Sequence, residues 1–162
     1  MKRESKNWIE LESLLSEGYS IQVKPRGYSM YPLFRPGREE AIISPVTKQL
    51  HRGDVVLYQR MEGILILHRI WKIDKTGYYM VGDNQSLIEG PLQENQIKGI
   101  LTEVIHDGTR FSVDKPGYRL VAEIWLRLCP VRPYILKMVS AIRRKRNHNS
   151  WKKNSDISWR DE

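Results

Sequence analysis

With 162 residues, 40% of them hydrophobic and 28% charged, the chain has the apolar content for one domain with a substantial core. Its single cysteine, Cys129, excludes an internal disulfide, and no stretch approaches the roughly 18 consecutive apolar residues of a membrane-spanning helix. The net charge of +8 is concentrated at one end, because residues 119–162 hold 11 of the 27 Lys and Arg against 4 of the 19 acids, leaving 16 against 15 elsewhere.

Lys2 and Arg3 are followed by Glu4, Lys6, Asn7, Glu10 and Glu12 rather than by the apolar run of a secretory signal, so a cytoplasmic protein is expected. Residues 5–17 place Trp8, Leu11, Leu14 and Leu15 at helical spacing, and Gly18 ends the predicted helix. From Tyr19 to His106 short runs of Val, Ile and Tyr between Pro and Gly read as strands. The candidates are Ser20–Lys24, Glu39–Ser44, Asp54–Gln59, Ile64–Ile73, Tyr78–Val81, Ile97–His106 and Thr109–Val113. With no helices between them, they predict a mainly β, largely antiparallel fold, an open barrel or sandwich, since parallel strands need crossover helices.

Beyond Pro116 the period turns helical. Leu120, Val121, Ile124, Trp125 and Leu128 make one stripe and Ile135, Met138, Val139 and Ile142 another, with Pro130 and Pro133 separating them into two helices or one bent one. Cys129 sits among Leu126, Leu128 and Val131 and reads as an apolar-face residue. The basic run Arg143–Arg146 precedes a polar stretch. The expected organisation is a domain over residues 1–116, a basic amphipathic helical segment over 117–146 and a disordered tail over 147–162.

Candidate chemistry centres on Ser29, in Gly27-Tyr28-Ser29-Met30-Tyr31-Pro32, and on His68, 38 intervening residues later on a predicted strand. A serine hydroxyl becomes a nucleophile when a nearby base takes its proton, and a neutral imidazole with a pKa of about 6.5 is such a base at neutral pH. Lys72 shares the face of His68 by period two and is a rival base. His51 and His106 read as solvated residues, and Asp54 as a loop tie.

Four segments in order, Gly27–Pro32, Arg52-Gly53-Asp54-Val55-Val56, Leu67-His68-Arg69-Ile70 and Gly82-Asp83-Asn84, resemble the blocks of the signal peptidase I superfamily, which shares its fold with the protease domain of LexA-type repressors. The resemblance covers Ser20 to Leu101, about half the chain. It implies a serine endopeptidase in which Ser29 is the nucleophile, on a turn shaped by Met30 and Pro32. His68 falls where bacterial signal peptidases carry a lysine base and the endoplasmic-reticulum type a histidine, so the chain looks like the histidine variety. That variety orients its histidine with an acid six positions after the aspartate of the Gly-Asp-Asn block, here Glu89; Asp83 either acts instead or only braces its loop.

The chain departs from the pattern at Gly27, where family members often carry an oxyanion-binding serine or threonine, at Tyr28, which replaces a small residue, and in lacking the family's membrane span. A LexA-like self-cleaving regulator is disfavoured, because the 26 residues before Gly27 are few for a DNA-binding domain and linker. The expected substrate is an extended peptide or precursor protein, with no metal or cofactor. Residues 119–146 pack on the body or meet an anionic membrane surface peripherally, and nucleic acid is disfavoured for want of interleaved aromatics or a groove-reading motif. The alternative is a catalytically inactive β module bound to a membrane surface or an acidic partner.

Overall fold

The alternation of Val55 and Leu57 against Val56 and Tyr58 gives one short strand two apolar faces, and both are buried. Around that strand the computed structural model, which describes residues 10–139 and 141, arranges one open sheet of eight antiparallel strands. They are β1 (Ile21–Val23), β2 (Glu40–Ser44), β3 (Val55–Gln59), β4 (Leu65–Asp74), β5 (Gly77–Val81), β6 (Ile88–Leu92), β7 (Ile97–His106) and β8 (Thr109–Ser112). The spatial order is β1-β2-β7-β3-β4-β5-β6, and β8 takes up β7 at Glu103–His106, beyond the part that β3 pairs.

The expected mainly β antiparallel class is therefore observed. Ile97–His106 forms as read from the sequence, and the other six candidates form within one residue at each end. β6 is an addition: Gly90 and Pro91 interrupt its run, which is tolerated because β6 lies at the end of the sheet and pairs only with β5.

Among the described residues three α-helical segments accompany the sheet: α1 over residues 10–16, α2 over Pro116–Arg127 and α3 over residues 132–139. Gly18 closes α1, its amide on the Leu15 carbonyl and that of Tyr19 on the carbonyl of Leu14. Residues 5–9 of the expected first helix, Ile142, the basic run 143–146 and the tail 147–162 lie outside the described residues.

Two clusters fill the faces of the sheet. In the first, Leu15, Met30 and Phe34 cover Ile21, Ile43, Val55, Leu57 and Leu101; in the second, Val56, Tyr58, Ile70, Met80, Leu92 and Ile100 meet. A bond of 2.8 Å joins Tyr58 on β3 to Glu89 on β6, although β4 and β5 lie between them. Three strand spacings of about 4.8 Å each would hold those side chains apart on a flat sheet, so the sheet must curl around the second cluster. Bulges at Trp71 on β4 and at Gly90 and Pro91 on β6, opposite Tyr79, accompany the curl.

The C-terminal segment packs on the body. Leu126, Cys129 and Val81 form a third buried cluster with Trp71 against it, and the Trp125 indole donates to the Asp83 carbonyl at 2.9 Å. Arg132, from the expected basic segment, is buried: its guanidinium donates to the carbonyls of Gly82, Gln85 and Trp125 and lies over the Trp125 ring. Leu120, Val121, Ile124, Tyr134 and Met138 remain exposed. Among the described residues no helix is long and apolar enough to cross a membrane.

Candidate active site

Ser29 sits in a run of tight turns after β1. Tyr31 N bonds to Tyr28 O and Phe34 N to Met30 O, and Met30 and Phe34, four residues apart, are buried in the first cluster. Two apolar anchors thus pin the loop and leave Ser29 half-buried. Gly27 enters the loop with φ +82°, a conformation that costs a side-chain-bearing residue about 1–2 kcal/mol. The expected departure at this position therefore has a backbone reason, and the loop here favours glycine over an oxyanion-binding hydroxyl.

The Ser29 carbonyl accepts the Asn84 amide at 2.8 Å. It also lies against Gly82, where an added Cβ would stand 2.7 Å from it, so the close approach of the two loops requires a glycine. Gly82 follows Val81, whose partner across β4 and β5 is Arg69, the residue after His68. Arg69 in turn spreads over the remaining blocks, donating to both oxygens of Asp83 at 2.9 and 2.7 Å and to the Gly53 carbonyl at 2.8 Å. All four sequence blocks meet here through direct bonds.

His68 is 4% exposed and shares its sheet face with Tyr58 and Ile66. Nδ1 faces the Tyr58 hydroxyl at 3.2 Å, and that hydroxyl donates to Glu89 Oε2 at 2.8 Å. Arg60 closes the row with two bonds to Glu89, of 2.6 and 2.5 Å. Every fully buried side-chain nitrogen or oxygen among the described residues has a partner, and Nε2 of His68 has none, so Nε2 must be the part of the ring that solvent still reaches. Among the described residues neither the amide nor the hydroxyl of Ser29 is hydrogen-bonded, to His68 or to any other group.

Burial lowers the His68 pKa to about 4; Glu89 and Asp83 pull it back up, and Arg60 opposes them. Arg60 holds the Glu89 carboxyl below its ordinary range, and burial together with Glu89 raises the Tyr58 phenol. At neutral pH the row is thus a neutral imidazole, a neutral phenol and a carboxylate.

A lowered histidine pKa means that the unfolded chain binds the proton more tightly, so stability is complete above pH 6.5 and is lost as the pH falls toward 4. Between about pH 7.5 and about pH 5 the loss attributable to His68 is about 2 kcal/mol. Urea unfolding at the two values should show it in the native protein and not in His68→Gln; equal losses in both would mean that the imidazole is not buried as described.

The structure brings Glu89 to His68 only through Tyr58, and it gives the Asp83 carboxylate to Arg69 rather than to the imidazole. Lys72 does not share the face of His68: the bulge at Trp71 shifts the register, and Lys72 pairs with Tyr79. Its ammonium is exposed, bonded to Asp74 at 2.5 Å and above the Tyr79 ring, and that bond raises its pKa, which suits a solvated cation rather than a base. Asp54 ties its loop through the His51 amide, His51 is exposed, and the half-exposed His106 meets Glu39 at 3.0 Å. The sequence pattern assigns no role to Tyr58 or Arg60, and none to Arg69 beyond its place in the Leu67–Ile70 block; for Tyr58 the signal is a polar-tipped residue on the His68 face of the adjacent strand.

No protein-family model and no curated protein sequence matches the chain. The likeness to signal peptidases consequently rests on the four sequence blocks alone.

Beside Asn84, between the loop of residues 84–87 and α3, lies a surface cleft of about 510 Å³. Leu87 and Leu136 give it apolar walls, and Arg132 and Lys137 make it basic.

Proposed function

We propose that the chain is a serine endopeptidase of the signal-peptidase type that cleaves an extended peptide. What supports this reading above all is the convergence of blocks separated by up to about fifty residues on one point, where the Ser29 carbonyl, Gly82, Asn84, Asp83, Arg69 and Gly53 are mutually bonded or in contact. In the proposed reaction Nε2 of His68 takes the Ser29 proton as the hydroxyl attacks the scissile carbonyl. The same nitrogen then returns the proton to the leaving amine, and water releases the acyl-enzyme. The unbonded Ser29 amide is the oxyanion donor. With Gly27 contributing no second side-chain donor, turnover is expected to be slower by the roughly 10²–10³-fold that one donor supplies.

The substrate backbone would lie as an added strand near the rim of the sheet, with one flank toward the basic cleft beside Asn84. The exposed apolar residues of α2 and α3, with Arg127 and Lys137 on the same helices, suit peripheral contact with an anionic membrane, which would bring membrane-associated precursors within reach. The rival reading, an idle β module at such a surface, draws on Gly27 and on the unjoined hydroxyl and imidazole, although catalytic hydrogen bonds often tighten only when substrate is bound.

A serine-directed acylating probe separates the two. The enzyme reading expects one adduct, mapped to Ser29 by peptide mass, that disappears in His68→Gln. An unlabelled Ser29, or labelling indifferent to His68, would favour the idle module.

A further inference from the structure

The row behind His68 determines more than its position. Tyr58 is completely buried, and its hydroxyl lies between Glu89 and the imidazole. A phenol has one proton to give, and a carboxylate can only accept. Glu89, held ionised by the two bonds from Arg60, therefore takes the phenol proton, and the phenol oxygen turns only lone pairs toward Nδ1. Nδ1 must then be the ring nitrogen that carries hydrogen, which leaves Nε2 bare in a neutral imidazole.

We propose that Tyr58 is the positioning residue of the site: it locks His68 as the Nδ1–H tautomer, so that the solvent-reached Nε2 is the basic atom, with Glu89 and Arg60 fixing the direction in which the Tyr58 hydroxyl points. This rests on the reading of His68 as the base and deepens it, since the carboxylate acts through a phenol rather than directly.

The fold accounts for the inserted phenol. Glu89 pairs with Met80 and reaches the second cluster from β6, whereas His68 approaches from β4 beside β3, so the side chain that spans the remaining gap comes from β3. The charged and titratable groups that act on the imidazole are Tyr58 of β3, Glu89 of β6, Arg60 in the turn after β3 and Asp83 after β5. Among the described residues only Tyr58 meets Nδ1. When Nε2 takes a proton, the new positive charge faces the phenol oxygen with the Glu89 carboxylate behind it.

Nitrogen NMR of the labelled protein near pH 7 reads the tautomer without any substrate. The native protein should show His68 with a protonated Nδ1 and a bare Nε2, and Tyr58→Phe, which keeps the ring and removes the hydroxyl, should show a mixture of the two tautomers. In saturation kinetics with the acylating probe, Tyr58→Phe should lower the maximal acylation rate at Ser29 tenfold or more with the half-saturating concentration unchanged. A native His68 protonated at Nε2 overturns the proposal, as does a Tyr58→Phe protein with the native nitrogen spectrum. Should Tyr58→Phe fail to fold, the native spectrum still decides. A native spectrum of the expected form in a protein whose Ser29 never reacts upholds the lock and sinks the protease reading, so the two fail separately.

Discussion

Ser29→Ala is expected to lower peptide-bond cleavage about a millionfold while leaving the fold unchanged, because in the proposed mechanism loss of the serine nucleophile removes the covalent route as a whole. The structural side of this expectation is specific. The Ser29 hydroxyl makes no hydrogen bond among the described residues, and the loop is held by Met30, Phe34 and the Ser29 carbonyl, all of which alanine leaves in place. Stability should therefore move by no more than about 0.5 kcal/mol, as for an ordinary surface substitution. His68→Gln should lose activity to a comparable extent, and the double variant should be no worse than either alone, since residues that act as a unit do not contribute additively. Mass spectrometry of new termini in a pool of denatured polypeptides provides the readout. Undiminished cleavage by Ser29→Ala would end the proposed mechanism, and additive losses in the double variant would show that serine and histidine act independently.

The sheet is legible because its strands carry their own local signal, and the candidate site is legible only where its residues fall within a motif. Ile97–His106 is rich in Ile, Leu and Val and forms as read, whereas Ile88–Leu92 hides a strand because Gly90 and Pro91 look like a turn until the chain is known to run along the end of the sheet. One extra residue, Trp71, changed the side on which Lys72 points, and no period-two argument detects a bulge in advance. Tyr58 in Val-Val-Leu-Tyr-Gln reads as core, and it is core; its polar tip matters because curling of the sheet brings Glu89 to it from β6. The basic C-terminal segment misled in a similar way. Arg132 counts toward a surface charge in the sequence, yet its guanidinium is buried on the nearby Trp125 carbonyl and on those of Gly82 and Gln85, some fifty residues away along the chain, and that long-range part of the pairing leaves no local trace.

Asp83→Asn is expected to cost about 3–5 kcal/mol of folding stability, the loss that follows when one member of a buried ion pair is removed and the other charge remains. Both side chains are nearly inaccessible, at 3% for Arg69 and 2% for Asp83, and the carboxylate binds the guanidinium through both oxygens. Burial alone would push the Arg69 charge toward neutrality, and Asp83 more than reverses that push. With asparagine at position 83, Arg69 keeps the Gly53 carbonyl and a long 3.3 Å contact to the Tyr118 hydroxyl but loses its counter-charge. In a chain of this size the deficit corresponds to a drop of about 10 °C or more in melting temperature. Because this pair clamps β4 to the loop on which the Ser29 carbonyl rests, the damage should spread to the Ser29 turn, whose amide protons should exchange faster. Replacing both members with apolar residues of similar volume, as Arg69→Met with Asp83→Leu, should restore part of the loss, since a buried pair exchanged for packed hydrophobic side chains is often neutral. The opposite pattern is equally readable. An Asp83→Asn protein that unfolds within about 1 kcal/mol of the native one, yet acylates Ser29 at a fraction of the native rate, would assign Asp83 to the orientation of His68 and remove that role from the Tyr58 and Glu89 row.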